Sequence, residues 1–158
     1  GTPVSANLVV QNTLPTTANV TASMPHRNAS GIDLLLSAND ADGDAITYSV
    51  VSQPANGTVS ISGNVAHFTP NLADDFVGSN SFTFVASDGT ANSTSAFGNV
   101  TLTNAAPSAN VSLTPALVFT NDTVTANVGT SDSDGDVVTV SYVWKVNGNV
   151  VSGANTAR

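Results

Sequence analysis

The sequence contains no cysteine and no glutamate, and only three of its 158 residues are Lys or Arg. Without cysteine, the fold depends on a hydrophobic core, or on bound metal, rather than on disulfides. Glutamate favours helices whereas aspartate and asparagine favour turns, so a chain whose eleven acids are all aspartate is typical of strands and turns. The net charge of −8 argues against nucleic acid as a partner, because a polyanion would be repelled.

No run of residues is long and apolar enough to cross a membrane, which argues against membrane insertion. Charged residues make up 9% of the chain and hydrophobic residues 41%, so enough apolar surface is available to build a core. The low lysine content and the abundance of Thr, Ser and Asn indicate an extracellular protein of a bacterial or archaeal surface. The chain begins at Gly1 without a methionine or a signal peptide, and we therefore expect a processed piece.

The chain repeats itself at a spacing of 92 residues. The segment NLVVQNTLPTTANVT (7–21) matches NVTLTNAAPSANVS (99–112) with one residue of slippage, and the aspartates of 40–44 match those of 132–136. A repeat of this length, built from strands, predicts a tandem array of β-sandwich modules.

This repeat divides the chain into three parts. We expect residues 1–12 to be the last strand of one module, residues 13–104 a complete module, and residues 105–158 the first half of a following module. Alternation of apolar and polar residues predicts about seven strands in the complete module and no helix. The predicted fold class is all-β, with immunoglobulin-like or cadherin-like β-sandwich modules in tandem.

The same alternation predicts which side chains face the core. Leu34 and Leu36 share one face of a strand, and Phe82 and Phe84 share one face of another. In the partial copy the alternation predicts a strand at 138–146, with Trp144 packed at the centre of the sandwich, as in immunoglobulin-type domains.

Residues 38–89 contain the motifs DADGDAITYSVVSQPANGTV, FTPN and SFTFVASDG, and they closely resemble the bacterial Ig-like and cadherin-like tandem repeats of large surface adhesins. The partial copy, with SDSDGDVVTVSYVWKVNGNVVSGA, resembles a related Ig or PKD-like repeat. The resemblance implies an extracellular, non-catalytic protein, and members of these families often bind calcium near the linkers between modules.

Each aspartate cluster places three carboxylates at alternate positions around a glycine. The clusters are Asp40, Asp42 and Asp44 around Gly43, and Asp132, Asp134 and Asp136 around Gly135. Calcium takes six to eight oxygen ligands in a tolerant geometry, so carboxylates spaced in this way can converge on one ion. The loops are not EF-hands, because no bidentate glutamate follows them. We therefore predict a structural Ca²⁺ site in each, completed by ligands from elsewhere.

The topology of an immunoglobulin-type sandwich predicts where these further ligands lie. Asp88 and the linker around Asn12 are expected beside the first cluster. Asp74 and Asp75 are expected at the opposite end, facing the linker at Asn104, where they would meet the second cluster. Each cluster would then lie at a joint between modules, which a shared ion would lock. The alternative is that both clusters are ordinary solvated Asp-Gly turns.

These observations favour a non-catalytic, calcium-stiffened stalk or spacer of a surface or secreted adhesin-like protein, with neighbouring modules of the same chain as partners. One alternative is the subunit of an extracellular filament, in which like subunits exchange strands across unpaired edges. A second is a carbohydrate-binding module that recognises surface glycans, for which Phe76, Phe97 and Phe119 are poor candidates. No enzyme is expected, because neither His26 nor His67 has catalytic partners that the sequence indicates.

Overall fold

The fold is seen in a computed structural model, which describes Gly1 and residues 6–152. The chain divides into two compact units, Gly1–Asn104 and Ala105–Arg158. Both consist of strands and turns, and the described residues contain no helix.

Nine strands form the first unit. They are β1 (Thr16–Thr17), β2 (Val20–Pro25), β3 (Ile32–Leu35), β4 (Ala38–Asn39), β5 (Thr47–Ser52), β6 (Gly57–Ser62), β7 (Val65–Pro70), β8 (Gly78–Ser87) and β9 (Ala96–Thr103). A four-stranded sheet has the order β2-β9-β8-β5 and a three-stranded sheet the order β3-β7-β6, while β1 pairs with β4. The two main sheets thus contain seven strands, as the alternation predicted.

The first strand of the unit changes partners along its length. Its beginning, β1, pairs with β4, and two residues later β2 joins the other sheet by pairing with β9. The β2–β9 pair is parallel, whereas β8 pairs with both β9 and β5 in antiparallel fashion. The strand β9 therefore lies between β2 and β8 and closes this side of the module.

The core lies between the two main sheets. Its largest fully buried side chains are Phe68, Phe82, Phe84, Leu36 and Val100. Leu34 is buried with them, so the inward faces predicted for the strands at 32–36 and 81–87 are confirmed. The all-β, immunoglobulin-like sandwich is also confirmed.

The second unit consists of two separate strand pairs. β10 (Ser108–Thr114) pairs with β11 (Thr125–Ser131) over seven residue pairs, and β12 (Lys145–Val146) pairs with β13 (Asn149–Val150). None of its described residues is buried.

Two sequence predictions need correction. In the expected strand 138–146 only 145–146 form a strand, and Trp144 is half-buried rather than central. The equivalent strand of the first unit, β5, is held by β8, and the described part of the second unit contains no strand equivalent to β8. Residues 6–12 also form no strand, because their backbone groups find no sheet partner there, and residues 2–5 lie outside the described residues.

One glycine of β9 permits the packing of the core. Gly98 lies directly opposite Phe82 in the β8–β9 pair, and a Cβ added to Gly98 would lie 2.1 Å from Phe82 Cζ. Phe82 is only 1% exposed and cannot move outward without leaving the core. The aromatic ring therefore covers the backbone where the opposing strand lacks a side chain.

We expect Gly98→Ala to lower the free energy of unfolding by roughly 1–3 kcal/mol, because overpacking forces a buried ring or the backbone to shift. Urea denaturation measures this loss. Thr101→Ser, at an exposed position of the same strand, serves as control and should change stability by less than about 0.5 kcal/mol. Equal stability of Gly98→Ala and wild type would contradict the packing described here.

Candidate metal centre

The first aspartate loop follows β4 and is organised by one carboxylate. Asp40 Oδ1 accepts hydrogen bonds from the backbone N–H groups of Asp42 at 2.9 Å and Asp44 at 3.2 Å. Gly43 has a φ of +84°, a left-handed conformation that glycine adopts without strain. The short loop is therefore fixed by its own sequence, with Asp40 turned inward.

The loop brings three carboxylates together. One oxygen from each of Asp40, Asp42 and Asp44 lies within 4.8 Å of the other two. Asp42 and Asp44 are exposed, while Asp40 is half-buried. Charges of one sign at this separation repel one another, so the arrangement costs free energy unless a cation neutralises it.

The second oxygen of Asp40 is the atom that most needs a partner. Asp40 Oδ2 is inaccessible to solvent and accepts no hydrogen bond from any described residue. Buried polar atoms nearly always have a partner, and a buried carboxylate oxygen without one is costly. A cation bound at this oxygen would supply that partner, so the residues present fit a metal ion.

The linker before β1 is attached to the same end of the module. Thr13 donates to Asp42 through its backbone N–H at 2.6 Å and through Oγ1 at 3.3 Å. Asn12 Nδ2 donates to Asp88 Oδ2 at 2.7 Å. The sequence placed Asn12 and Asp88 beside the first cluster, and the structure ties both loops to this linker. Asp88 is not part of the group of carboxylates within 4.8 Å of one another among the described residues.

Asp88 is held in its charged form. The Asn12 side chain lowers the pKa of Asp88 below its ordinary value, and the backbone N–H groups of Ala91 and Thr90 lower this pKa further. Both N–H groups lie 2.6 Å from Asp88 Oδ1. The carboxylate therefore remains available as an anionic oxygen at this end of the module.

The second aspartate loop repeats the first contact by contact. Asp132 Oδ1 accepts from the backbone of Asp134 at 2.8 Å and of Asp136 at 3.2 Å, and Gly135 also has a φ of +84°. Ala105 donates its backbone N–H to Asp134, as Thr13 does to Asp42. Each of these residues follows its counterpart by 92 positions.

The unsatisfied oxygen recurs as well. Asp132 Oδ2 is inaccessible to solvent and, like Asp40 Oδ2, accepts no hydrogen bond from the part of the chain that the structure describes. Its cluster differs in one respect, because Asp132, Asp134 and Asp136 do not form a described group of three within 4.8 Å. Since the backbone contacts of the two loops agree, this difference lies in the side-chain positions.

Asp74 and Asp75 lie in a turn at the other end of the first unit. Asp75 Oδ1 is 2.8 Å from Arg27 Nη2 and 3.2 Å from His26 Nε2, while Asp74 accepts from the Asn71 side chain. His26 Nδ1 also lies 3.2 Å from the Thr103 carbonyl oxygen, so this turn is at the end where β9 leads to Asn104. Both carboxylates have protein partners, and a metal role for Asp74, Asp75 and Asn104 stays a prediction.

The sequence analysis missed the structural role of His26. This side chain is buried and joins the turn after β2 to the end of β9 and to Asp75. A signal was present, since adjacent His26 and Arg27 are rare basic side chains in this sequence and Asp74–Asp75 is its only directly adjacent pair of acids. Opposite charges at two turns of one module indicate a contact between them.

Comparisons with known proteins agree with this architecture. Residues 12–103 match the family model described as "Bacterial Ig domain", and the chain belongs to that family. Ig-like domains of this kind are typically non-enzymatic and are usually extracellular or at the cell surface. No curated protein matches the chain.

Two solved structures are similar to parts of the chain. An endo-fucoidan hydrolase of glycoside hydrolase family 107 is 24% identical with a TM-score of 0.42, over 56% of this chain and 16% of that one. Drosophila N-cadherin EC1-4 is 11% identical with a TM-score of 0.45, over 78% of this chain and 35% of that one. The chain thus spans about a sixth and about a third of the lengths of these two proteins.

The described residues include no helix of the length and apolarity that a bilayer crossing requires. This finding, the family and the strand architecture together define a non-catalytic immunoglobulin-like module of a tandem array.

We expect Asn12→Ala to raise the pKa of Asp88 towards its ordinary value, because the Asn12 hydrogen bond is the largest cause of the lowering. A folded pKa below the unfolded one contributes stability above the unfolded value of about 3.9, and this stability is lost as pH falls through the folded pKa. An NMR titration of the Asp88 carboxyl carbon measures the shift. Asn7→Ala is the control, and an unchanged pKa in Asn12→Ala would mean that the backbone bonds alone lower it.

Proposed function

We propose that this chain is a calcium-stiffened stalk or spacer in an extracellular adhesin-like protein, with neighbouring modules of the same chain as its partners. The observation that carries the proposal is the buried, unsatisfied oxygen that recurs at Asp40 and Asp132. The same geometry arises twice, 92 residues apart, in a chain with very few charges. A solvated turn would leave both carboxylate oxygens of such an aspartate open to water.

The donors in each loop suit calcium. They are hard oxygen ligands with no histidine nitrogen or thiolate in the loop itself, and calcium accepts irregular arrangements of six to eight oxygens. Magnesium demands a near-ideal octahedron and retains its water, so it fits a compact cluster of protein carboxylates less well. In the first loop the three carboxylates would hold the ion, and the Asn12 side-chain oxygen and Asp88 are the nearest candidates to complete the ligand set.

Ion binding would stiffen the linker through contacts that are already present. Asp42 is bonded to Thr13, and Asp88 is bonded to Asn12, so the linker is attached to both loops by hydrogen bonds. A cation that holds Asp40, Asp42 and Asp44 together would fix the position of Asp42 and therefore of Thr13. In the second unit the bond from Ala105 to Asp134 would act in the same way.

Recognition of surface glycans rests on weaker ground. Phe97 and Phe119 are exposed, one in each unit, but ring-to-ring contacts among the described residues join only Tyr48, Phe82 and Phe84. A sugar platform usually needs aromatic rings that stand together at the surface. No observation therefore favours the carbohydrate-binding alternative over the spacer.

Calcium should raise the melting temperature of the wild type. Extracellular calcium modules have a Kd of about 10⁻⁴–10⁻³ M, and ligand at about 100 times Kd adds roughly 2.7 kcal/mol to the stability of the folded state. Thermal unfolding in EDTA, then in calcium up to about 10 mM, should therefore show a rise of about 10 °C for a domain of this size. Magnesium at the same concentration should produce a much smaller rise.

Asp40→Asn is the variant that isolates the proposed ligand. Asparagine keeps the Oδ1 acceptor for the N–H groups of Asp42 and Asp44 but replaces the unsatisfied oxygen by an amide nitrogen. The loop should fold and the calcium response of the first unit should disappear. Asp33→Asn removes the same charge on the three-stranded sheet and should keep the response. Calcium-independent melting of the wild type would show instead that both loops are solvated turns.

A further inference from the structure

An apolar segment before the first β-strand stands unpaired in the structure. Leu8 and Val10 are 88% and 85% exposed, and residues 6–12 belong to no strand. An extended segment with large apolar side chains in water is a ready partner for an open sheet edge. It must therefore be asked which edge this segment fits.

The internal repeat identifies the strand that this segment resembles. At the spacing of 92 residues, Asn7 corresponds to Asn99 and Asn12 to Asn104, so residues 7–12 are the counterpart of the second half of β9. Leu8 and Val10 then correspond to Val100 and Leu102, which are 0% and 2% exposed in the core. The segment thus has inward-facing apolar side chains at the positions where β9 has them.

The partner of β9 also has a counterpart that is open. In the first unit β9 pairs in parallel with β2, with Thr21 opposite Asn99. The sequence match of 7–21 with 99–112 makes Ser112 of β10 the counterpart of Thr21. The strand β10 pairs with β11 along one edge, and no described strand lies along its other edge.

The second unit shows the consequence of this open edge. In the first unit the corresponding strand leaves β4 after two pairs and joins β9, whereas β10 stays on β11 for seven pairs. Val111 and Leu113 of β10 are 66% and 51% exposed. An apolar face and an unpaired row of backbone groups are therefore present on the same strand.

We propose that residues 7–12 of one copy of this chain add to β10 of a second copy as a parallel strand, in the way that β9 adds to β2. Main-chain hydrogen bonds would fix the strand direction, and Leu8 and Val10 would pack towards Val111 and Leu113. The donor and acceptor surfaces differ, so each copy retains one of each after pairing. Such a heterologous contact builds linear assemblies rather than closed dimers.

Sedimentation velocity over a range of protein concentrations tests the association. The wild type should sediment faster as concentration rises, and Leu8→Asn/Val10→Asn should remain a monomer. Val9→Asn is the matched control, because Val9 corresponds to the outward-facing Thr101 and should keep the association. A monomeric wild type at every concentration, or equal loss in Val9→Asn, would overturn the proposal. Measurements in EDTA and in calcium separate this result from the metal hypothesis.

The absence of cysteine allows a direct test of the pairing. The pair Thr21–Asn99 predicts that Ser112 of one copy lies opposite Asn7 of another. An isotope-labelled Asn7→Cys variant is mixed with an unlabelled Ser112→Cys variant under mild oxidation, and mass spectrometry identifies the disulfide-linked pairs. An excess of the mixed pair over both homodimers is expected. Only homodimers, or a double variant that closes within a single chain, would refute the strand addition.

Discussion

The joint at the start of each module depends on one aspartate whose two oxygens have different environments. Asp40 Oδ1 holds the backbone of its own loop, and this turns Asp42 towards the linker, where Thr13 binds it. The same bonds leave Asp40 Oδ2 buried without a donor. A loop that satisfies its backbone and leaves a charged atom unsatisfied is adapted to a ligand more than to stability alone, because such an atom is costly to bury. The recurrence of this division at Asp132 makes it a property of the repeat.

Closure of the sandwich depends in turn on β9. This strand lies between β2 and β8, provides Val100 and Leu102 to the core, and draws the first strand of the module away from β4. Gly98 makes room there for the ring of Phe82. The second unit has the same first strands and the same aspartate loop, yet none of its described residues is buried. The loop geometry is thus local, whereas a buried core requires the strand that closes the sheet.

Much of the first unit could be predicted from the sequence because its determinants act over short distances. Alternation placed Leu34, Leu36 and Phe84 on inward faces, since successive side chains of a strand point to opposite sides. The aspartate loops were also predictable, because Asp-Gly turn chemistry involves residues two and four positions apart. Trp144 failed the same logic: alternation describes a strand that has neighbours, and its segment lacks the counterpart of β8 that would hold it.

The amino-acid sequence by itself determined the all-β class, the repeat of 92 residues and the residues that form the two acidic loops. These properties follow from local preferences and side-chain periodicity, which need no distant partner. Only the tertiary structure decided that Asp40 Oδ2 is buried, that Asn12 bonds Asp88 across 76 positions, and that His26 joins Asp75 and Thr103. Burial and long-range hydrogen bonds depend on which loops the sheets bring to the same end, and that arrangement exists only once the strands have paired.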